Sequence, residues 1–244
     1  ENVAVGHQAL YSNLNASYNI AIGPSAMYSV AGTAGNNIAI GRNSLYTNTS
    51  GVQNVVVGTQ AADATASINY ITVVGHGALG SFNDTGDRYI TAIGYNAMAS
   101  ATTGSRGTAV GAFACRHATI GDNAALGYSA LENATSATDC SAVGSFALHN
   151  LTTGSYNTAV GREALGATTT AAHNTAVGKT ALAANTTGTG NNALGSNSLV
   201  VATTANYNNA FGYSTLGATT TGSSNVAIGH VALAANTTGE YNHA

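Results

Sequence analysis

A glycine recurs about every 17 residues along the whole chain, and this spacing constrains the fold more than any other feature. The steps between successive copies are 16 to 19 residues. Repeats this short indicate a solenoid, because one copy buries its apolar side chains only by stacking on its neighbours. These repeat glycines are Gly6, Gly23, Gly41, Gly58, Gly75, Gly94, Gly111, Gly127, Gly144, Gly161, Gly178, Gly195, Gly212 and Gly229.

Each copy places the same types of side chain at fixed offsets from its repeat glycine. Val, Ile, Leu or Phe stands one place before the glycine in every copy, and Ala stands two places before it except at Val56 and Val73. Asn stands four places before it in ten of the fourteen copies, and Leu stands four places after it in ten. Fourteen copies and the start of a fifteenth fill residues 1–244, so we expect one repeat domain cut from a longer fibre.

The alternation of larger and smaller apolar residues before each glycine predicts a short β-strand. The Ala-Leu pair after the glycine predicts a second extended segment, and the Gly and Thr-Thr-Gly positions predict turns. We therefore expect an all-β fold, a parallel β-roll or β-solenoid with coils of about 17 residues. Fourteen such coils, stacked at about 4.8 Å, make a rod about 65 Å long.

The repeated positions also predict how the coils pack. Glycine permits a positive φ or a close backbone approach at each bend, and stacked Asn side chains are able to bond to one another along the ladder. We expect the Val/Ile and Leu positions to point into the core and the Ala position before the glycine to point outward. An outward stripe of small residues suits tight packing against another chain, which favours an oligomer.

Composition excludes several classes of function. Lys and Arg number only six, and charged residues make up 6% of the chain, so a nucleic-acid partner is not expected. No apolar run approaches the roughly 20 residues that cross a bilayer, so this segment is not expected to insert into a membrane. Metal-ligand spacings such as His-x-His and Cys-x-x-Cys are absent from the sequence. We expect no cofactor, no metal ion and no catalytic residue.

The motif Asn-x-Ala-[Val/Ile]-Gly, as in residues 174–178 and 225–229, resembles the head repeats of trimeric autotransporter adhesins. Longer copies, such as Asn-Thr-Ala-Val-Gly-Lys-Thr-Ala-Leu-Ala-Ala-Asn-Thr-Thr-Gly at 174–188, are similar to arrays in bacteriophage tail fibres and other surface fibres. The resemblance spans all fourteen copies. It implies a left-handed parallel β-roll, a homotrimer, and an extracellular location on a virion fibre or a bacterial cell surface. The copies here are longer than the usual adhesin head repeat, and residues 1–244 themselves contain neither a stalk heptad nor a membrane anchor.

These patterns favour a structural fibre or adhesin segment, a rigid rod that spaces and contacts a host-cell surface glycan or protein. Two alternatives stay open. Thr-rich coils are also typical of ice-binding β-solenoids. A fibre-borne polysaccharide depolymerase is the other alternative, and it requires a pair of carboxylates at a set separation. Of these, the structural function is our prediction, and we expect no enzymatic activity.

Tyrosine gives the clearest candidate for surface recognition. Eleven of the twelve tyrosines fall five places before, one place after or five places after a repeat glycine, and Tyr241 falls at the equivalent place of the fifteenth copy. Such aromatics either offer a surface for sugars and receptors or cap the core with their hydroxyls in water. The longest copy adds the segment 81–89, which is either a ligand loop or a solvated bulge. The candidate surface-binding residues are Tyr11, Tyr28, Tyr46, Phe82, Asp84, Asp87 and Tyr89.

Cysteine and histidine give weaker signals. Cys115 occupies the Leu position and Cys140 the Asn position almost two coils later, which is too far for a disulfide, so two buried thiols are expected. His7, His76 and His230 follow repeat glycines in non-adjacent coils. We therefore expect them to lie on the surface without sharing a metal ion.

Overall fold

The computed structural model describes residues 1–118 and 121–244, and the regular elements in this part of the chain are all β-strands. Two compact units are present, Glu1–Asp122 and Asn123–Ala244. Each is a parallel β-solenoid with coils of about 17 residues, which confirms the predicted fold class. A search of the described residues for a helix capable of crossing a bilayer found none. A single domain spanning 1–244 stays a prediction.

The described residues of the first unit, 1–118 and 121–122, form nine short strands. They are β1 (Asn2–Val5), β2 (Asn19–Ile22), β3 (Ile38–Ile40), β4 (Val55–Val57), β5 (Ser67–Asn69), β6 (Thr72–Val74), β7 (Thr85–Asp87), β8 (Thr91–Ile93) and β9 (Thr108–Val110). Seven of them form a parallel ladder in the order β1-β2-β3-β4-β6-β8-β9, one strand from each coil. The other two, β5 and β7, pair in parallel in a separate small sheet.

The second unit contains seven strands, one from each coil. They are β10 (Ala124–Leu126), β11 (Ser141–Val143), β12 (Thr158–Val160), β13 (Thr175–Val177), β14 (Asn192–Leu194), β15 (Asn209–Phe211) and β16 (Val226–Ile228). Each pairs in parallel with the next, and the register aligns equivalent positions, as in Ala159 with Ala176. The predicted in-register stacking is therefore confirmed within this unit.

An asparagine ladder runs through the core beside the strands. The Oδ1 atom of Asn174 accepts hydrogen bonds from the backbone N–H of Asn191 at 2.9 Å and from its Nδ2 at 3.2 Å. The Nδ2 of Asn174 donates to Asn157 Oδ1 at 3.2 Å and to the Gly188 carbonyl at 2.9 Å. These side chains are fully buried, and the same bonds recur at Asn208. The predicted ladder is confirmed, and it satisfies polar groups that have no access to water.

The repeat glycines have both properties that the sequence suggested, a positive φ and a close approach to the backbone of the next coil. Gly23 has a φ of +129°, and a Cβ built on it would lie 2.7 Å from the carbonyl carbon of Gly41 in the next coil. Gly161 shows the same arrangement, with φ +134° and a Cβ position 2.5 Å from the Gly178 carbonyl oxygen. A side chain at these positions would be strained by its φ and would also collide with the coil stacked on it.

The predicted direction of the strand side chains is wrong in one respect. The Ala two places before the glycine points inward, and Ala159 and Ala176 are fully buried. The aliphatic residue next to the glycine points outward, and Val160 is 37% exposed. Strand side chains alternate, so burial of the asparagine ladder places the Ala two residues later on the same inner face. The Leu position after the glycine is buried as predicted, for example at Leu165.

The predicted second extended segment is also wrong. The Ala-Leu pair lies in a run of turns, and Leu165 adopts a left-handed φ of 52°. This backbone is unfavourable for leucine by about 1 kcal/mol or more. It aims the Leu165 N–H along the stack, where the N–H donates to the Ala181 carbonyl of the next coil at 3.0 Å. Burial of the leucine side chain and this inter-coil bond together offset the strain.

The glycine geometry predicts a large difference between two alanine substitutions in the first unit. We expect Gly23→Ala to lower the free energy of unfolding by several kcal/mol, about 3 or more, because its Cβ meets the backbone of the next coil. Gly32→Ala is the control, since Gly32 also has a positive φ of 63° but open space within 4 Å. Its expected cost is about 1 kcal/mol. Chemical denaturation followed by circular dichroism measures both, and equal losses would contradict the role of coil contact.

A second pair of variants tests the asparagine ladder. Asn174→Ala leaves the buried N–H of Asn191 without its acceptor and removes one of the two amide donors to the Gly188 carbonyl, so we expect a loss of about 3 kcal/mol. Thr175→Ala, one residue along on the outer face of β13, is expected to change stability by less than about 0.5 kcal/mol. Denaturant titration distinguishes the two. A loss for Asn174→Ala no larger than that for Thr175→Ala would show that the ladder contributes little.

Candidate functional site

The first three coils carry the predicted tyrosine ladder, made of Tyr11, Tyr28 and Tyr46. Their rings stack with centroids 5.0 Å apart at both steps and interplanar angles of 7° and 14°. Tyr11 is 64% exposed, whereas Tyr28 and Tyr46 are half-buried. The ladder therefore presents a row of ring edges at the surface. It combines the two interpretations that the sequence left open, since its half-buried rings Tyr28 and Tyr46 also cover the core.

The segment 81–89 does not form a simple bulge. Its residues Thr85–Asp87 form β7, which pairs with β5 one coil earlier. The side chains reinforce this pairing, because Asn69 Nδ2 donates to Asp87 Oδ1 at 2.8 Å. Tyr89 stacks on Tyr70 with centroids 5.2 Å apart and planes within 3°. The structure therefore joins Asp87 and Tyr89 to the coil before them, apart from the tyrosine ladder.

Asp84 is held by an ion pair within the same segment. Its Oδ1 lies 2.8 Å from Arg88 Nη2 and accepts a 2.9 Å hydrogen bond from the Thr85 N–H. Desolvation by burial acts to raise the pKa of Asp84, but these hydrogen bonds and the Arg88 charge outweigh it and lower the pKa below its usual value. Asp84 is thus an ionised carboxylate whose charge is already neutralised locally.

Phe82 is not a surface residue. Its side chain is 1% exposed and is among the largest fully buried groups of the chain. It lies seven places after a repeat glycine, a position that other coils fill with buried Val30 and Leu151. The prediction that Phe82 contacts a surface ligand therefore fails on geometry, while Asp87 and Tyr89 remain exposed candidates.

The remaining polar candidates lie where the sequence placed them. His7, His76 and His230 are exposed. Across the described ranges, 1–118 and 121–244, no group of three or more His, Cys, Asp or Glu side chains is arranged to hold a metal ion. Two of these histidines stack on tyrosines of the neighbouring coil, His76 on Tyr95 and His230 on Tyr213, both with centroids 5.5 Å apart.

Both cysteines are buried thiols, as predicted. Cys140 replaces an asparagine of the ladder, and its Sγ lies 3.5 Å from the Gly154 carbonyl oxygen, which the amide would otherwise contact. Its backbone N–H still donates to Asn123 Oδ1 at 2.9 Å. Burial raises the pKa of the Cys140 thiol above its usual value.

Two surface features were not identified from the sequence. The first is the aliphatic column, the outward Val, Ile, Leu or Phe before each repeat glycine. The second is an open cleft of about 420 Å³ in the second unit, which we name the Phe146 cleft. Its sequence signal is a fall in side-chain size from His149 to Gly166 and Ala183, each five places after a repeat glycine. The lining residues are Phe146, His149, Asn150, Glu163, Gly166, Ala167 and Ala183.

Comparison of the sequence with protein-family models and with curated proteins gave no match. The assignment of the chain therefore rests on its own architecture, a parallel β-solenoid built from tandem repeats of about 17 residues.

The burial of the two cysteines predicts slow reaction with a thiol reagent. At pH 8 we expect the native protein to label with 5,5′-dithiobis(2-nitrobenzoate) over hours, because both thiols are shielded and the Cys140 thiolate is disfavoured. Guanidinium is expected to expose both within minutes. Raising the pH should accelerate Cys140 labelling only above the normal titration range of cysteine. Rapid labelling of both thiols in native protein would contradict this burial.

Proposed function

We propose that the chain is a structural, non-catalytic segment of an extracellular fibre, carried on a virion or a bacterial cell surface. The observation that supports it is the repetition of the same buried inter-coil bonds in successive coils, such as those of the asparagine ladder from Asn157 to Asn225. A solenoid linked in this way resists bending and shear along its stack. The sequence resemblance to autotransporter heads and phage fibres supports the surface location.

We further propose that three copies associate through the aliphatic column. In the second unit this column is 36% to 66% exposed, and it forms an unbroken apolar stripe along the outer face of the strands. Such a stripe marks an interaction surface. A partner that matches it coil by coil must have the same repeat, so another copy of this chain fits best. The number three comes from the resemblance. The stripe is Leu126, Val143, Val160, Val177, Leu194, Phe211 and Ile228.

We propose that the exposed aromatic side chains supply contacts to a host-cell glycan or protein. Tyr11 is 64% exposed, and Tyr89 is 58% exposed beside Asp87. Tyrosine suits such a role because it combines a large apolar face with a polar tip at a low entropic cost.

The geometry disfavours the ice-binding alternative. In the Thr-Thr bends of the second unit, the hydroxyl of the first threonine donates to a carbonyl of the next coil, for example Thr152 to the Thr169 carbonyl at 2.9 Å and Thr186 to the Thr203 carbonyl at 3.0 Å. A hydroxyl committed to the backbone is less available to order water. On the outer strand face, the run of Thr72, Thr91 and Thr108 does not extend to β1–β4, which carry Val or Ile there.

Analytical ultracentrifugation tests the proposed association. We expect residues 1–244 to sediment at three times the 24.1 kDa chain mass. The double variant Val160→Glu with Val177→Glu is expected to become monomeric, because burying two carboxylates in an apolar contact costs several kcal/mol. Thr187→Glu, at an exposed bend, is the matched control and should stay trimeric. A monomeric wild-type chain would overturn this part of the proposal.

Immunogold electron microscopy tests the location. Antibodies raised against residues 1–244 are expected to decorate surface fibres of the source virion or cell. Labelling confined to the cell interior would contradict the proposed fibre function.

A further inference from the structure

The Phe146 cleft lies within the second unit and spans three consecutive coils. Phe146, His149 and Asn150 come from one coil, and Glu163 and Gly166 come from the next. Ala183 closes the floor in the third coil. The cleft exists because the position of His149 is occupied by Gly166 in the next coil and by Ala183 in the coil after it. The large side chains therefore form a wall, and the small residues of the next two coils form the floor. At about 420 Å³ it falls in the size range of small-ligand sites.

The aromatic wall is fixed in place before any ligand arrives. The Phe146 ring makes edge contacts with Tyr128, at 5.2 Å and 74°, and with His149, at 5.4 Å and 86°. The Nδ1 atom of His149 lies 3.3 Å from the Ser129 carbonyl oxygen and 3.6 Å from Glu132 Oε2. This assigns a ring proton to Nδ1, and in the neutral imidazole it makes Nε2 the hydrogen-bond acceptor.

The polar rim is also positioned by the protein. Asn150 Nδ2 donates to the Gly166 carbonyl at 2.9 Å, which orients its amide across the coil boundary. Glu163 Oε1 accepts a 2.7 Å hydrogen bond from Arg162 Nη2, and the carboxylate is 38% exposed at the cleft. A carboxylate and an amide that are already held in place bind hydroxyl groups at a reduced entropic cost.

We propose that this cleft binds one pyranose ring of a glycan, with preference for a 2-acetamido sugar. The Phe146 wall offers an apolar surface to the C–H face of the ring, and Glu163 accepts hydrogen bonds from its hydroxyls. The acetamido methyl packs on Ala167 and Ala183, while Asn150 has the donor and acceptor groups that pair with an amide. The carboxylate of Glu163 at the rim disfavours phosphorylated and other strongly anionic ligands. This inference rests on the proposed surface function in one respect, namely that the glycan comes from a host-cell surface.

Titration calorimetry with triacetylchitotriose on the 1–244 chain tests the site. We expect a dissociation constant below about 10 mM, weakened at least about tenfold by Phe146→Ala and by Glu163→Gln. Phe113→Ala is the matched control, since Phe113 holds the same repeat position in the other unit, beneath the Arg116 guanidinium at 5.2 Å. Glu240→Gln controls for charge. Both controls are expected to bind like the wild type.

A substitution that fills the cleft tests the site without removing a side chain that packs in the fold. Ala183→Leu adds a side chain to the floor at a position where another coil carries Val200, so the fold is expected to persist and binding to disappear. Absence of triacetylchitotriose binding, or undiminished binding in both Phe146→Ala and Ala183→Leu, would overturn the inference. Equal affinity for maltotriose would overturn the acetamido preference. Sedimentation of the same samples reports separately on the proposed fibre assembly.

Discussion

Everything in this structure depends on hydrogen bonds between one coil and the next. A coil of about 17 residues encloses too little volume for a core of its own, so each coil is stable only on its neighbours. The asparagine ladder makes this stacking specific, because each buried amide bonds to the backbone and side chain one coil away. A shift in register would leave several buried polar groups unpaired, which costs more than any single apolar contact provides.

Most of the architecture was predictable because it is local and repeated. The glycine spacing predicts the coil length, the alternation predicts the strand, and the recurring asparagine predicts the ladder. The alternation alone does not show which face is inside. Hydrophobicity favours burial of Val160 over Ala159, yet the buried amide of Asn157 determines the inner face and places Ala159 on it. Asn157 and Ala159 are two residues apart, so both side chains point to the same face of the strand. The sequence therefore contained the information needed to identify the inner face, but the prediction relied on hydrophobicity instead.

Other features depend on contacts between coils that one copy does not reveal. Leucine is uncommon at a left-handed φ, and its conformation at Leu165 is stabilised by burial of the side chain and by the N–H bond to the next coil. Phe82 lies beside polar residues in the sequence, but its offset from Gly75 places it in the core. The Phe146 cleft arises from a difference in side-chain size between successive coils. This difference becomes visible only when the residues at the same repeat position are compared from one coil to the next.

The asparagine ladder also has a direction. Each buried amide oxygen accepts from the following coil, and each amide nitrogen donates to the oxygen of the preceding one. Every coil that carries the asparagine therefore presents one kind of face to its predecessor and the complementary face to its successor, whatever its surface residues are. Recombination that adds or deletes a whole coil restores matching faces, whereas a gain or loss of a few residues within the strand disrupts them. The similarity of residues 174–188 and 225–239 is the kind of trace that such duplication leaves, and it makes the number of coils an easily evolved quantity.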